Sequence, residues 1–133
     1  MARKIMLNYR RADTKGFAIA IYNSLVSNFG EDKIFMDIDT IEPGTDFVKV
    51  LEKAVQQCDV LIVMIGPQWL GIKDSSGERR LDNEGDFVRI EIKAALEREV
   101  TVLPVLVQGA KMPTATKLPD DIRSLARAAG IRH

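Results

Sequence analysis

The sequence predicts an α/β fold. It reads as an open parallel sheet of the flavodoxin-like kind, strand order 2-1-3-4 with room for a fifth strand, with helices on both faces. Three observations carry this. Short apolar runs alternate with segments of helical periodicity along the 133 residues. One run, Val60 to Ile65, is apolar throughout, as a strand covered on both faces must be. Strand–helix–strand alternation, finally, joins parallel strands by crossovers that lay helices over the sheet.

The elements follow in order. Lys4 to Tyr9 reads as the first strand. Thr14 to Phe29 is the first helix, with Phe17, Ile21 and Leu25 recurring every four residues on one face. Lys33 to Met36 is the second strand. The second helix, Asp46 to Gln57, has the cleanest stripe: Phe47, Val50, Leu51, Ala54 and Val55 fall at i, i+3, i+4, i+7 and i+8, with Thr45 placed to cap it. Val60 to Ile65 is the third strand. The third helix, Phe87 to Glu99, turns Val88, Ile92 and Leu96 inward. Val100 to Val107 is the fourth strand, in which Pro104 predicts a kink or an edge position, since proline donates nothing to a ladder. A fourth helix is expected over Pro119 to Ala129, with Ile122, Leu125 and Ala126 inward and Gly130 ending it. Between the third strand and third helix runs Gly71 to Asp86, a long polar loop that reads equally as a binding lid or as a surface insertion.

Composition narrows the function classes. The chain fits one domain. Its formal net charge is zero, which argues against a broad footprint for nucleic acid. The longest apolar run falls far short of the roughly 20 residues that a membrane span needs, and no apolar signal core follows Arg3 and Lys4. These features together predict a cytoplasmic protein. Cys58 is the only cysteine, so no internal disulfide can form, and its place before an apolar run predicts a buried, inert thiol. The one histidine is the terminal His133, so neither an imidazole mechanism nor a Cys/His zinc site is expected.

In an open parallel sheet, ligands bind beyond the carboxyl ends of the strands. Those ends carry Asn8-Tyr9-Arg10-Arg11-Ala12-Asp13, then Asp37 to Gly44, then Gly66-Pro67-Gln68-Trp69-Leu70. Arg10 and Arg11 could grip phosphates, and Tyr9 and Trp69 could stack on a flat ring, which describes a pocket for a nucleotide-like ligand. Equally, Trp69 could be core and the arginines could pair with Asp37 and Asp39. Glu91 stands four residues after Phe87 and between Ile90 and Ile92, so a carboxylate shares a helical face with an aromatic ring. Such a group is a candidate for tuned chemistry, although most of the 19 acidic residues are ordinary surface groups. Several chemistries are excluded: there is no dinucleotide fingerprint, no P-loop and no nucleophile elbow. A phospho-accepting receiver would need acids where Tyr9-Arg10 and Gly66 stand.

Five segments in order resemble one family. Ile5 to Asp13 is similar to the opening F-I-S-Y-R-R-x-D block of bacterial Toll/interleukin-1 receptor (TIR) domains. Asp37 to Phe47 resembles their second block, Gly66 to Leu70 their G-P-x-W-L, Asp86 to Ile92 their D-W-V-R-x-E-I, and Val102 to Val107 with Met112-Pro113 their fourth strand and its exit. The resemblance implies an NAD+ glycohydrolase that releases nicotinamide and leaves ADP-ribose or a cyclic isomer, often in antiphage defence. The alternative it implies is a non-catalytic scaffold that assembles with like domains. It places the catalytic role on Glu91, with NAD+ as substrate and no metal or other cofactor. Tyr9 and Arg10 would line the nicotinamide side, Phe87 and Trp69 would wall the pocket, and Asp37 and Asp39 would border it. Asn8 stands where the family usually has serine, and Phe87 where it has tryptophan, which keeps the ring but loses the indole donor. The implied partners are other TIR domains, through self-association at the Asp37 to Phe47 loop, and a fused or associated sensor domain. By the same resemblance, residues 1–133 are a single TIR domain excerpted from a longer multidomain protein.

Overall fold

The computed structural model describes residues 4–35, 47–128 and 131–132. Five parallel strands form one sheet in the order β2-β1-β3-β4-β5. They are β1 (Ile5–Asn8), β2 (Ile34–Phe35), β3 (Val60–Ile65), β4 (Thr101–Leu106) and β5 (Ile131–Arg132). The helices are α1 (Arg11–Phe29), α2 (Phe47–Gln56) and α3 (Phe87–Glu97). The predicted order is therefore observed, and the fifth strand is present.

Strand alternation divides the interior into two cores. Ile5, Leu7, Ile62 and Met64 point to one face and pack with Ala18, Phe17, Ile21 and Leu25 of α1. Met6, Leu61, Val63 and Ile65 point to the other and pack with Val55 of α2 and Val88, Ile92 and Ala95 of α3. Asn8 follows Met6 by two residues, so β1 directs it to the α3 face, where it is fully buried.

Three expectations are corrected. The Pro119 to Ala129 segment is not α-helical: Asp120–Arg127 is 3-10 helix, broken at Ile122 (φ −125°). Its buried residues, Ile122 and Leu125, are three apart, a spacing that the three-residue repeat of a 3-10 turn satisfies as well as an α-helix does. Pro104 does not interrupt β4, whose ladder with β3 runs from Thr101 to Leu106 with Pro104 opposite Val63. The described pairing with β5 begins one residue later, at Val105. Helix α1 starts earlier than its apolar stripe, at Arg11, with a kink at Thr14 (φ −130°).

The polar loop 71–86 is neither open nor loose. Lys73 and Arg79 form an antiparallel bridge, the Asp74 carboxylate accepts from the Ser76 and Glu78 amides at 2.9 and 3.1 Å, and Leu81 is fully buried in the α3-side core. Thr45, Gly130 and the Asp37 to Gly44 turn lie outside the described residues. No helix among the described residues is long and apolar enough to cross a membrane.

Candidate active site

The site is assembled where β1 ends beside the first turns of α3. Asp86 starts α3: its backbone is extended and its carboxylate accepts from the Arg89 amide at 3.3 Å, an N-cap. The same carboxylate takes a bidentate pair from Arg10, at 2.6 and 2.7 Å, with the two side chains 4% and 10% exposed. One strand-end arginine thus fixes the helix start, and the planar fork fixes its direction. One turn on, Arg89 donates to Asp121 at 3.1 Å and to the Leu81 and Asp82 carbonyls at 3.3 and 3.0 Å, binding α3 to the 3-10 segment and to the 71–86 loop.

Inside this frame sits Glu91, 9% exposed, on the buried side of α3. The Asn8 amide nitrogen donates to Glu91 Oε1 at 2.8 Å and to the Val88 carbonyl at 3.2 Å. Asn8 Oδ1 finds no hydrogen-bond partner among the described residues. Phe87 lies one turn before Glu91 and is 48% exposed, an aromatic ring at the rim above a buried carboxylate. Glu91 also acts on Cys58, just after α2. Burial first, then the Glu91 charge, pushes the thiol up to about 11. Cys58 Sγ donates to the Ala54 carbonyl at 3.3 Å, so the cysteine is the buried, protonated thiol that the sequence predicts.

The predicted site residues divide. Glu91 and Phe87 share a face, as their spacing requires. Arg10 reaches the same end of the sheet but is a strut: both terminal nitrogens of its guanidinium are engaged by Asp86. Tyr9 is half-buried and packs with the α1-side core. Trp69 is fully buried in the α3-side core, so the core alternative holds and its ring offers no wall to a ligand. The turn that leads into it is closed by the Gly66 carbonyl, which accepts from the Trp69 amide at 3.1 Å. Asp37 and Asp39 lie outside the described residues. Sequence reasoning left two contributors without a role. Asp86 carries the signature of an N-cap, an acid immediately before an apolar-periodic run. Asn8 could have been found from strand parity, which sends it to the α3 face. An open cleft on the outer flank of α3, lined by Glu52, Glu84, Arg89, Lys93, Glu97 and Asp121, does not include Glu91.

Comparison with known proteins adds four findings. A family profile described as TIR domain matches residues 5–131. The chain is 26% identical over 129 residues to a Drosophila melanogaster protein named NAD(+) hydrolase sarm1, covering 96% of this chain and 9% of that protein. It is 26% identical over 131 residues to NAD(+) hydrolase tir-1 of Caenorhabditis elegans, covering 96% of this chain and 12% of that protein. The chain thus spans only 9% and 12% of the length of these curated relatives. Among solved structures, the TIR domains of the activated Roq1 resistosome, which directly recognizes the pathogen effector XopQ, superpose with a TM-score of 0.67 at 14% identity. That likeness covers 98% of this chain and 87% of theirs, and it is one of fold.

Proposed function

The chain belongs to the TIR domain family, and from that premise we propose that it hydrolyses NAD+ at the bond between nicotinamide and ribose. The observation that carries this reading is Glu91: a carboxylate 9% exposed at the carboxyl end of the sheet, held by an amide donor 2.8 Å away. Two relatives named NAD(+) hydrolase support it.

The chemistry suits a site with one carboxylate. Nicotinamide leaves as a neutral base from a pyridinium, so no general acid is needed. The electrons of the C1′–N bond pass to the ring nitrogen, and the ribose becomes oxocarbenium-like. A buried carboxylate beside C1′ stabilises that charge more strongly than one in water would. Water then bonds to C1′ and loses a proton, giving nicotinamide, ADP-ribose and a proton. Attack by an adenine nitrogen instead gives a cyclic isomer. Phe87, half-exposed on the same helical face, supplies a ring beside the departing base; the assignment of Asp37 and Asp39 to the border of the pocket rests on the family resemblance. Arg10 serves by fixing α3.

Self-association of like domains completes the site and activates it. The wider setting belongs to the same proposal and rests on the resemblance to bacterial members: cytoplasmic antiphage defence, assembly into filaments, and triggering by a sensor domain. Incubating NAD+ with increasing protein and measuring nicotinamide by chromatography tests the reading. Specific activity is expected to rise with protein concentration. No release at any concentration, under crowding as well, would favour an interaction module without catalysis.

A further inference from the structure

We infer that Asn8 is a positioning residue, an amide donor that fixes the Glu91 carboxylate in its reactive orientation; the catalytic part of this inference rests on the function proposed above. The amide at Asn8 has only one workable orientation. Val88 presents a carbonyl, which can only accept, and Glu91 presents a carboxylate, which also accepts. Turning the amide over would set Oδ1 against both acceptors. Nδ2 therefore faces them and spends its two hydrogens, at 3.2 Å on Val88 and 2.8 Å on Glu91. Asn8 is fully buried on β1, which lies between β2 and β3, so no water competes for those hydrogens.

The two contacts do different things. The bond to the Val88 carbonyl ties strand to helix backbone, so Asn8 stands at a fixed distance from the turn that carries Glu91. The bond to Oε1 then sets the rotation of the carboxylate about its own stem and leaves Oε2 as the oxygen not held by Asn8. A donor there also matches the ionised acid, the form the proposed reaction uses, since a hydrogen bond to the charged form favours it. The unpartnered Oδ1 is consistent with this division. What Asn8 contributes is its nitrogen, with its buried acceptor left unpaired among the described residues.

The test uses Asn8→Ala, Asn8→Leu and Glu91→Ala with two readouts. The first is independent of hydrolysis: the side-chain amide signal of Asn8 by 1H–15N NMR, assigned by its loss in Asn8→Ala. It is expected to move in Glu91→Ala. The second is steady-state NAD+ hydrolysis. Asn8→Ala is expected to lower kcat by roughly 10-fold to 100-fold, the scale of a misoriented group, with KM changed by about twofold at most. Asn8→Leu keeps a side chain of similar size but carries no donor, so it is expected to be as slow as Asn8→Ala. Recovery of kcat in Asn8→Leu would overturn the inference and leave Asn8 a packing residue, as would an Asn8 amide signal indifferent to Glu91→Ala. Wild-type protein that releases no nicotinamide, with the amide signal still dependent on Glu91, would overturn the proposed function and the catalytic part of the inference, while the contact itself stood.

Discussion

Cys58 and Gly66 show how single residues report on the packing around the site. The Cys58 thiol is held up to about 11 from 9.0 by burial and then by the Glu91 charge. The folded chain therefore keeps a proton that the unfolded chain releases. Its contribution to stability is whole below about pH 9 and is lost as pH rises toward about 11. Denaturant titrations across that window should show stability falling in wild type and a shallower fall in Cys58→Ala. A thiol kept protonated by burial should also resist alkylation at pH 7 in native buffer and react in denaturant. Gly66 makes a geometric prediction. A Cβ there would lie 2.5 Å from Asp13 Oδ2 and 2.6 Å from the methyl group of Thr14, which is 1% exposed on α1. Gly66→Ala should cost about 1–3 kcal/mol in chemical denaturation, as overpacking does. The glycine is legible in the sequence as a turn, but the close approach of Asp13 is not, because nothing in the spacing says that α1 begins against that turn.

At the scale of elements, the joint between β1 and α3 decides where Glu91 stands. Removing Asp86 takes away an N-cap and leaves Arg10, 4% exposed, without its counter-charge. Asp86→Ala should destabilise by about 3–5 kcal/mol, the usual penalty for orphaning a buried charge. The double change Arg10→Met with Asp86→Ser removes both charges and keeps a capping oxygen, so it should be far less costly than the single change when both are compared by thermal unfolding. These joints were the least legible part of the sequence. Strand β3 is read to the residue because both its faces are buried and its whole length is apolar. The apolar stripes of α2 and α3 fix their inward faces for the same reason. Asp86, by contrast, is legible only as a cap, because the arginine it pairs with is 76 residues away. Ile122, Leu125 and Ala126 fall at i, i+3 and i+4 and so read as one face of an α-helix, but only Ile122 and Leu125 are fully buried, and their spacing of three suits a 3-10 repeat as well as one of 3.6.

For the molecule as a whole, the sheet order brings the exits of β1 and β3 and the start of α3 to one edge, and this much was predictable from strand–helix alternation alone. What each residue does at that edge was not. Trp69 reads from sequence as an exposed ring or as core, and only the packing of α3, Leu81 and the 3-10 segment places it inside. The family was legible from five short segments, and its profile spans residues 5–131. If self-association completes the site, diluting the protein should lower specific activity, and light scattering should show larger species where activity is high. The most direct test of the central claim is nicotinamide release by Glu91→Gln beside wild type at one high protein concentration. Glutamine keeps the size of the side chain and can still accept from Asn8 through its carbonyl, so the fold should survive, with an unchanged unfolding midpoint. The account predicts release by wild type and a loss of about 100-fold or more in the variant, since the negative charge has gone and one carboxylate oxygen has become an amide nitrogen. Equal release by a folded Glu91→Gln protein would contradict it, because the carboxylate would then have no part in the reaction.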